Sequence, residues 1–115
     1  MKNISDVKSP LLMESQIGIV YSKLSEAPKL YATDELEVKE VAVKLFSPSM
    51  VLYVVEYDSD TRMAFGYMQN DFDTTLSEWG YSLIDELIED GFEMDLYFKD
   101  RAIFQDGSIH ELALH

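Results

Sequence analysis

No cysteine occurs among the 115 residues. That single absence excludes a disulfide framework, a zinc knuckle, an iron–sulfur cluster and a thiol nucleophile. Histidine is almost as scarce: His110 and His115, the only two, fall at the C-terminal end of the sequence, where a fraying terminus cannot hold an imidazole in the fixed geometry that acid–base catalysis needs. Long apolar runs are missing as well. None approaches the ~18 residues that would cross a bilayer, and Met1 to Lys8 is polar, without the apolar centre of a signal peptide. The expectation is a soluble cytoplasmic protein with no membrane partner. Basic side chains are few, nine Lys and Arg against 22 Asp and Glu, and they stand singly at 2, 8, 23, 29, 39, 44, 62, 99 and 101. A phosphate backbone demands a basic stripe, so nucleic acid is not an expected partner.

What the chain does have is acid and apolar bulk. Its net charge of -13 exceeds the magnitude of about 2 to 8 that keeps a small domain soluble. A hydrophobic fraction of 47% and an aromatic fraction of 12% belong to a globular domain and not to a disordered acidic tail. A chain of this size buries somewhat more than roughly 60% of its unfolded surface, and no repeat, low-complexity stretch or linker divides it. Between residues 70 and 100, ten acids stand against Lys99 alone. Such a concentration is either a solvated face or a surface that attracts basic proteins.

The patterning predicts an α+β fold. Ser9 and Pro10 suit a helix start, and Met13, Ile17, Val20 and Leu24 recur at helical spacing, although the β-branched Ile17, Ile19 and Val20 also suit a short strand. From Glu40 the period changes to two: Val41, Val43 and Leu45 share a side, ended by Ser47-Pro48-Ser49. Val51 to Tyr57 is apolar on both faces until Glu56, as in a central strand. Asp58, Ser59 and Asp60 supply turn chemistry before Met63, Phe65 and Tyr67 alternate with Arg62, Ala64 and Gly66. Turns this short force antiparallel neighbours. Residues 69–77 read as a polar loop. Ser82 to Gly91 reads as a helix over 82–90, with Ser82 as cap, Asp85 as capping-box acid and Gly91 as the left-handed stop. Met94, Leu96 and Phe98 then form a strand over 93–99, and Ile103 and Phe104 a short edge piece. The expected organisation is one domain over 1–115: a helical arm at 1–29, a core at 30–105 made of about four antiparallel strands with one packed helix, and a tail at 106–115.

Motifs for catalysis and metal binding come to little. His110-Glu111-Leu112-Ala113-Leu114-His115 places its second histidine one residue too late for a zinc-protease helix. Asp58-Ser59-Asp60-Thr61-Arg62-Met63 begins as a calcium loop but puts Arg62 at a ligand position and Met63 where glycine is required. Residues 70–78 also lack the required glycine. There is no phosphate cradle or nucleophile elbow, so no cofactor and no enzymatic activity are expected.

Six ordered patches carry a family likeness: Leu30-Tyr31-Ala32-Thr33, Val43-Lys44-Leu45-Phe46-Ser47-Pro48, Tyr53-Val54-Val55-Glu56-Tyr57-Asp58, Ala64-Phe65-Gly66-Tyr67, Gly80-Tyr81-Ser82-Leu83 with Glu86-Leu87, and Asp95-Leu96-Tyr97-Phe98. In these the chain resembles the family catalogued as domain of unknown function 2958, over roughly residues 30–99. The resemblance implies a small cytoplasmic protein of bacterial plasmids, phages and integrating elements, and supplies no activity and no catalytic residues.

Two functional expectations follow from the residues. In the first, Asp85, Glu86, Glu89, Asp90, Glu93 and Asp95 form an acidic surface that binds a basic protein, such as a defence, restriction or conjugation component. In the second, Gly66, Tyr67, Trp79 and Tyr81 surround an aromatic pocket for a small molecule or peptide at the sheet edge.

Overall fold

The computed structural model describes residues 2–112. It is an α+β fold of two antiparallel sheets and two helices, α1 (Glu14–Leu24) and α2 (Ile84–Glu89). The larger sheet holds β2 (Val43–Phe46), β3 (Met50–Asp58), β4 (Met63–Asn70), β5 (Glu78–Leu83) and β6 (Glu93–Met94), in the order β5-β4-β3-β2-β6. The smaller holds β1 (Lys39–Glu40), β7 (Arg101–Ile103) and β8 (Ile109–Glu111), in the order β1-β7-β8.

The hairpins fall where turn chemistry put them. Ser47 closes β2 to β3 through Ser47 N donating to Met50 O at 2.8 Å. Asp58 closes β3 to β4: its carboxylate accepts from Asp60 N at 3.0 Å and Thr61 Oγ1 at 2.8 Å. β3 is the central strand, covered on both faces. Leu52, Val54 and Tyr57 join Val43, Leu45, Ile84, Ile88 and the buried face of α1, Ile17, Val20, Tyr21 and Leu24, in one core. Tyr53 and Val55 join Val41 and Ile103 in a second core beneath the small sheet. Ordinary alternation along β3 serves both cores, and the register shift between Val54 and Glu56 brings Tyr57 onto the same side as Leu52 and Val54. Gly66 lies opposite Val54, where a Cβ would collide with the Tyr53 carbonyl oxygen; backbone packing, not ligand access, requires this glycine.

Several expected boundaries move. The expected arm docks on the rest of the fold: Val7 and the apolar stripe of α1 are core. Ser9 Oγ does accept from Leu11 N and Leu12 N, at 3.0 and 2.8 Å, but the turn it caps stops short of the helix, which begins at Glu14. Ser82 caps nothing: it pairs with Ala64 in β5, a strand that begins directly after the expected loop and takes over the start of the expected helix. The helix shrinks to Ile84–Glu89, with Gly91 at φ 95° closing it as expected. The strand expected over 93–99 ends at Met94. Asp95 N still reaches Lys44 O, but Asp95 Oδ1 then accepts from Tyr97 N at 3.0 Å and turns the chain out of the ladder. The edge piece at Ile103 belongs to the second sheet, and Ile109–Glu111, expected as tail, is its third strand.

Candidate functional site

The acidic stretch does not behave as one surface. Asp85 is 5% exposed. It accepts from Arg62 Nε and Nη2 at 2.8 Å each, in a two-pronged pair, and from the Tyr21 hydroxyl. β5 runs straight into α2, so the first turn of the helix lies over the β3–β4 turn that carries Arg62; Ile84 N donates to Arg62 O at 3.1 Å. Arg62 Nη2 also donates to the Lys2 carbonyl. Burial alone would raise the Asp85 carboxyl, but the bonds from Arg62 and Tyr21 outweigh it and hold the group below its ordinary value. Asp85 is therefore removed from the expected acidic surface: it is a structural anion inside the fold.

The remaining five acids divide again. Glu89 is bonded to Lys2 Nζ at 2.6 Å, and Asp95 lies 3.7 Å from Lys44 Nζ. Among the described residues, Glu86, Asp90 and Glu93 have no cationic side chain within 4.0 Å. Glu86 and Asp90 are exposed and one helical turn apart, and Glu93 is half-buried just beyond. The surface on offer is thus smaller than the sequence suggested, and it is centred on the C-terminal end of α2.

The expected aromatic residues are also brought together, though not around an open pocket. Phe65 stacks on Trp79 with centroids 5.6 Å apart, Tyr67 meets Trp79 edge-on at 5.5 Å, and Tyr81 tilts against Phe65 at 5.0 Å. The β7–β8 hairpin roofs this row: Trp79 Nε1 donates to Gln105 O at 2.9 Å, and Gly107 lies against the Tyr67 ring. Tyr67 and Trp79 consequently pack between the two sheets, and Gly66 packs against the backbone of β3 within the larger sheet. Tyr81 stays exposed, beside an exposed Tyr31 at 6.5 Å.

A second buried carboxylate went unnoticed in the sequence. Glu56 is 1% exposed and accepts from Tyr31 N at 2.8 Å, Thr33 N at 2.9 Å and the Thr33 hydroxyl. Burial would raise it, yet these donors, with Lys39 behind Thr33, hold it below its ordinary value. Lys39 is itself buried and donates to Thr33 O and Oγ1.

Asp73 Oδ1 accepts from Thr75 N at 3.0 Å, and Asn70 Oδ1 accepts from Phe72 N and Asp73 N at 3.0 Å each, so the 70–77 loop satisfies itself. His110 Nε2 stands 3.1 Å from Ser108 Oγ, and its ring packs on Phe104 at 4.2 Å. His115 lies outside the described residues. Among those described, no three His, Asp or Glu side chains converge as metal ligands, and no helix is long and apolar enough to cross a membrane. No family model, curated protein or solved structure matches the chain.

Proposed function

We propose that this chain is a non-enzymatic interaction module that binds a basic protein through Glu86, Asp90 and Glu93. What carries the assignment is that, among the described residues, these three carboxylates have no cationic side chain within 4.0 Å while Asp85, Glu89 and Asp95 each have one. Glu86 and Asp90 repel one another across a helical turn, and Asp90 adds its charge at the negative end of the helix. A cation supplied from outside relieves both effects. The resemblance to a mobile-element family favours a partner among defence, restriction or conjugation proteins. Glu89 and Asp95 flank the surface and contribute less, being already paired.

Affinity capture from the native bacterium, on immobilised wild-type protein and on the triple variant Glu86→Gln, Asp90→Asn, Glu93→Gln, tests this. At about 0.05 M salt, where charge is least screened, a basic protein should be retained by the wild type and lost from the variant; at about 0.3 M both should release it. Identical captured sets on the two proteins would overturn the assignment.

A further inference from the structure

Beside these carboxylates runs an apolar groove that the fold does not use. It has a volume of about 200 Å³ and lies between α1 and β6, lined by Leu12, Gln16, Ile19, Val20, Glu93, Met94 and Leu96. The row 16, 19, 20 is one face of α1, adjacent to the stripe that enters the core. Ile19 is 47% exposed and Leu96 65%, so the two walls carry large apolar side chains facing solvent. Toward α2 the apolar surface continues over Pro10 and Leu11, which lie within 3.6 to 3.9 Å of a Cβ placed on Gly91. Leu11 is exposed too. Gly91 follows Asp90 and precedes Glu93 by two residues; Glu93 lines the groove, and among the described residues neither carboxylate has a cationic side chain within 4.0 Å.

The groove differs in charge from its neighbour. Past Met94 and Leu96 the surface leads to an adjoining depression with Lys23, Lys99, Glu26 and Asp95, where the signs balance. The groove itself is lined by Glu93 and by no Lys or Arg.

Resting on the function proposed above, we propose that this groove receives an amphipathic cationic segment of the partner protein. Its apolar side chains seat between Ile19 and Leu96, and its lysines or arginines face Glu93 and Asp90. The volume suits one or two anchoring side chains and falls below the roughly 300–1,000 Å³ of pockets that enclose a small molecule. A helix laid along the groove would offer such anchors at i, i+3, i+4 and i+7. A second copy of this chain is a poor occupant, because each copy carries -13 and its nine basic residues stand singly along the sequence.

The probe is a synthetic peptide of about 18 residues with leucine at i, i+3, i+4 and i+7 and lysine elsewhere, compared with the same peptide carrying serine for leucine. Fluorescence anisotropy should show the leucine peptide binding wild type at least about tenfold tighter than the serine peptide, a difference of about 1.4 kcal/mol. In the double variant Ile19→Ser, Leu96→Ser, whose sites are exposed enough to leave folding intact, that advantage should vanish while the weak serine-peptide binding persists. In Glu93→Gln with Asp90→Asn, both peptides should bind more weakly and with a shallower salt dependence. If the serine-for-Ile19 and Leu96 variant keeps the tenfold preference, the groove is overturned as the docking site, while the carboxylate result still decides the acidic surface. If the carboxylate variant binds both peptides unchanged, the acidic surface itself is overturned. A concentration-dependent dimer in sedimentation, abolished by Ile19→Ser with Leu96→Ser, would also overturn the proposal by naming a second copy as occupant.

Discussion

Asp85 and Glu86 are adjacent on the same short helix, and one is a buried anion with three donors while the other faces water with none. The two ends of α2 differ in the same way. The N-terminal end is locked to Arg62 and Tyr21, whereas the C-terminal end presents Asp90 and, past the turn at Gly91, Glu93. A count of acids in the sequence treats these groups alike. What separates them is whether a cation from another element reaches them: Arg62 reaches Asp85 from the β3–β4 turn, and Lys2 reaches Glu89 from the N-terminal segment. Local charge density therefore overstates the acidic surface, because part of it is buried or paired within the fold.

The largest effect should come from breaking the buried end. Asp85→Asn leaves the Arg62 guanidinium buried without its counter-ion, a loss of about 3–5 kcal/mol in urea unfolding. Replacing both partners, Asp85→Leu with Arg62→Met, should recover most of that, since an apolar pair of similar volume avoids the stranded charge. Failure of the double replacement to recover stability would show that the hydrogen bonds it also removes, from the Tyr21 hydroxyl to Asp85 and from Arg62 to the Lys2 carbonyl, outweigh the ion pair. Thr33→Val comes next. It strips the hydroxyl from Glu56 and Lys39 and should cost about 1–3 kcal/mol, with the far-UV circular dichroism of the folded protein unaltered.

Acid should reproduce these losses gradually. Both Asp85 and Glu56 titrate below their ordinary values in the folded chain. A depressed folded value means that the stabilisation is present above the unfolded value of about 4 and is lost as pH falls through the folded one. Unfolding free energy should thus be level from neutral pH to about 5 and decline below about 4. The decline should be shallower in the Asp85→Leu, Arg62→Met variant, which has lost one of the two groups. An equal slope in the two proteins would mean that Asp85 is not held low by Arg62.

The elements legible in the sequence were those fixed by neighbours along the chain. The turns at Ser47 and Asp58 are built from side chains that bond backbone two or three residues away, so β2, β3 and β4 were placed from local chemistry. β5 carries two competing signals: Trp79, Tyr81 and Leu83 alternate with Gly80 and Ser82 as a strand requires, while Ser82 with Asp85 also matches a helix cap. The small sheet was not legible, because β1 is two residues long and pairs with β7 some sixty residues later, Lys39 opposite Ile103. Asp85 failed for the same reason, its partners Arg62 and Tyr21 lying 23 and 64 residues away in sequence. The groove was half visible: Leu12 and Ile19 fall outside the Ile17, Val20, Leu24 stripe and had no assigned partner, but nothing in the sequence places β6 beside them.

The smallest effect on stability should come from the open end, and it is the one that separates surface from scaffold. Glu86→Gln with Asp90→Asn removes a like-charged pair at i,i+4 and one charge from the negative end of α2, so the thermal midpoint should hold or rise slightly, by the equivalent of a few tenths of a kcal/mol. Glu89 is left in place because Lys2 already neutralises it, and its removal would mix a lost ion pair into the result. A merely solvated face gives the same small stabilisation and leaves capture of a basic protein unaltered. A binding face gives the stabilisation together with weaker capture, the loss being greatest at low ionic strength, where the missing attraction was least screened. Because stability moves the same way in both cases, weaker capture cannot be blamed on unfolding. Capture that is unchanged at low salt would leave Glu86 and Asp90 as solvated charges.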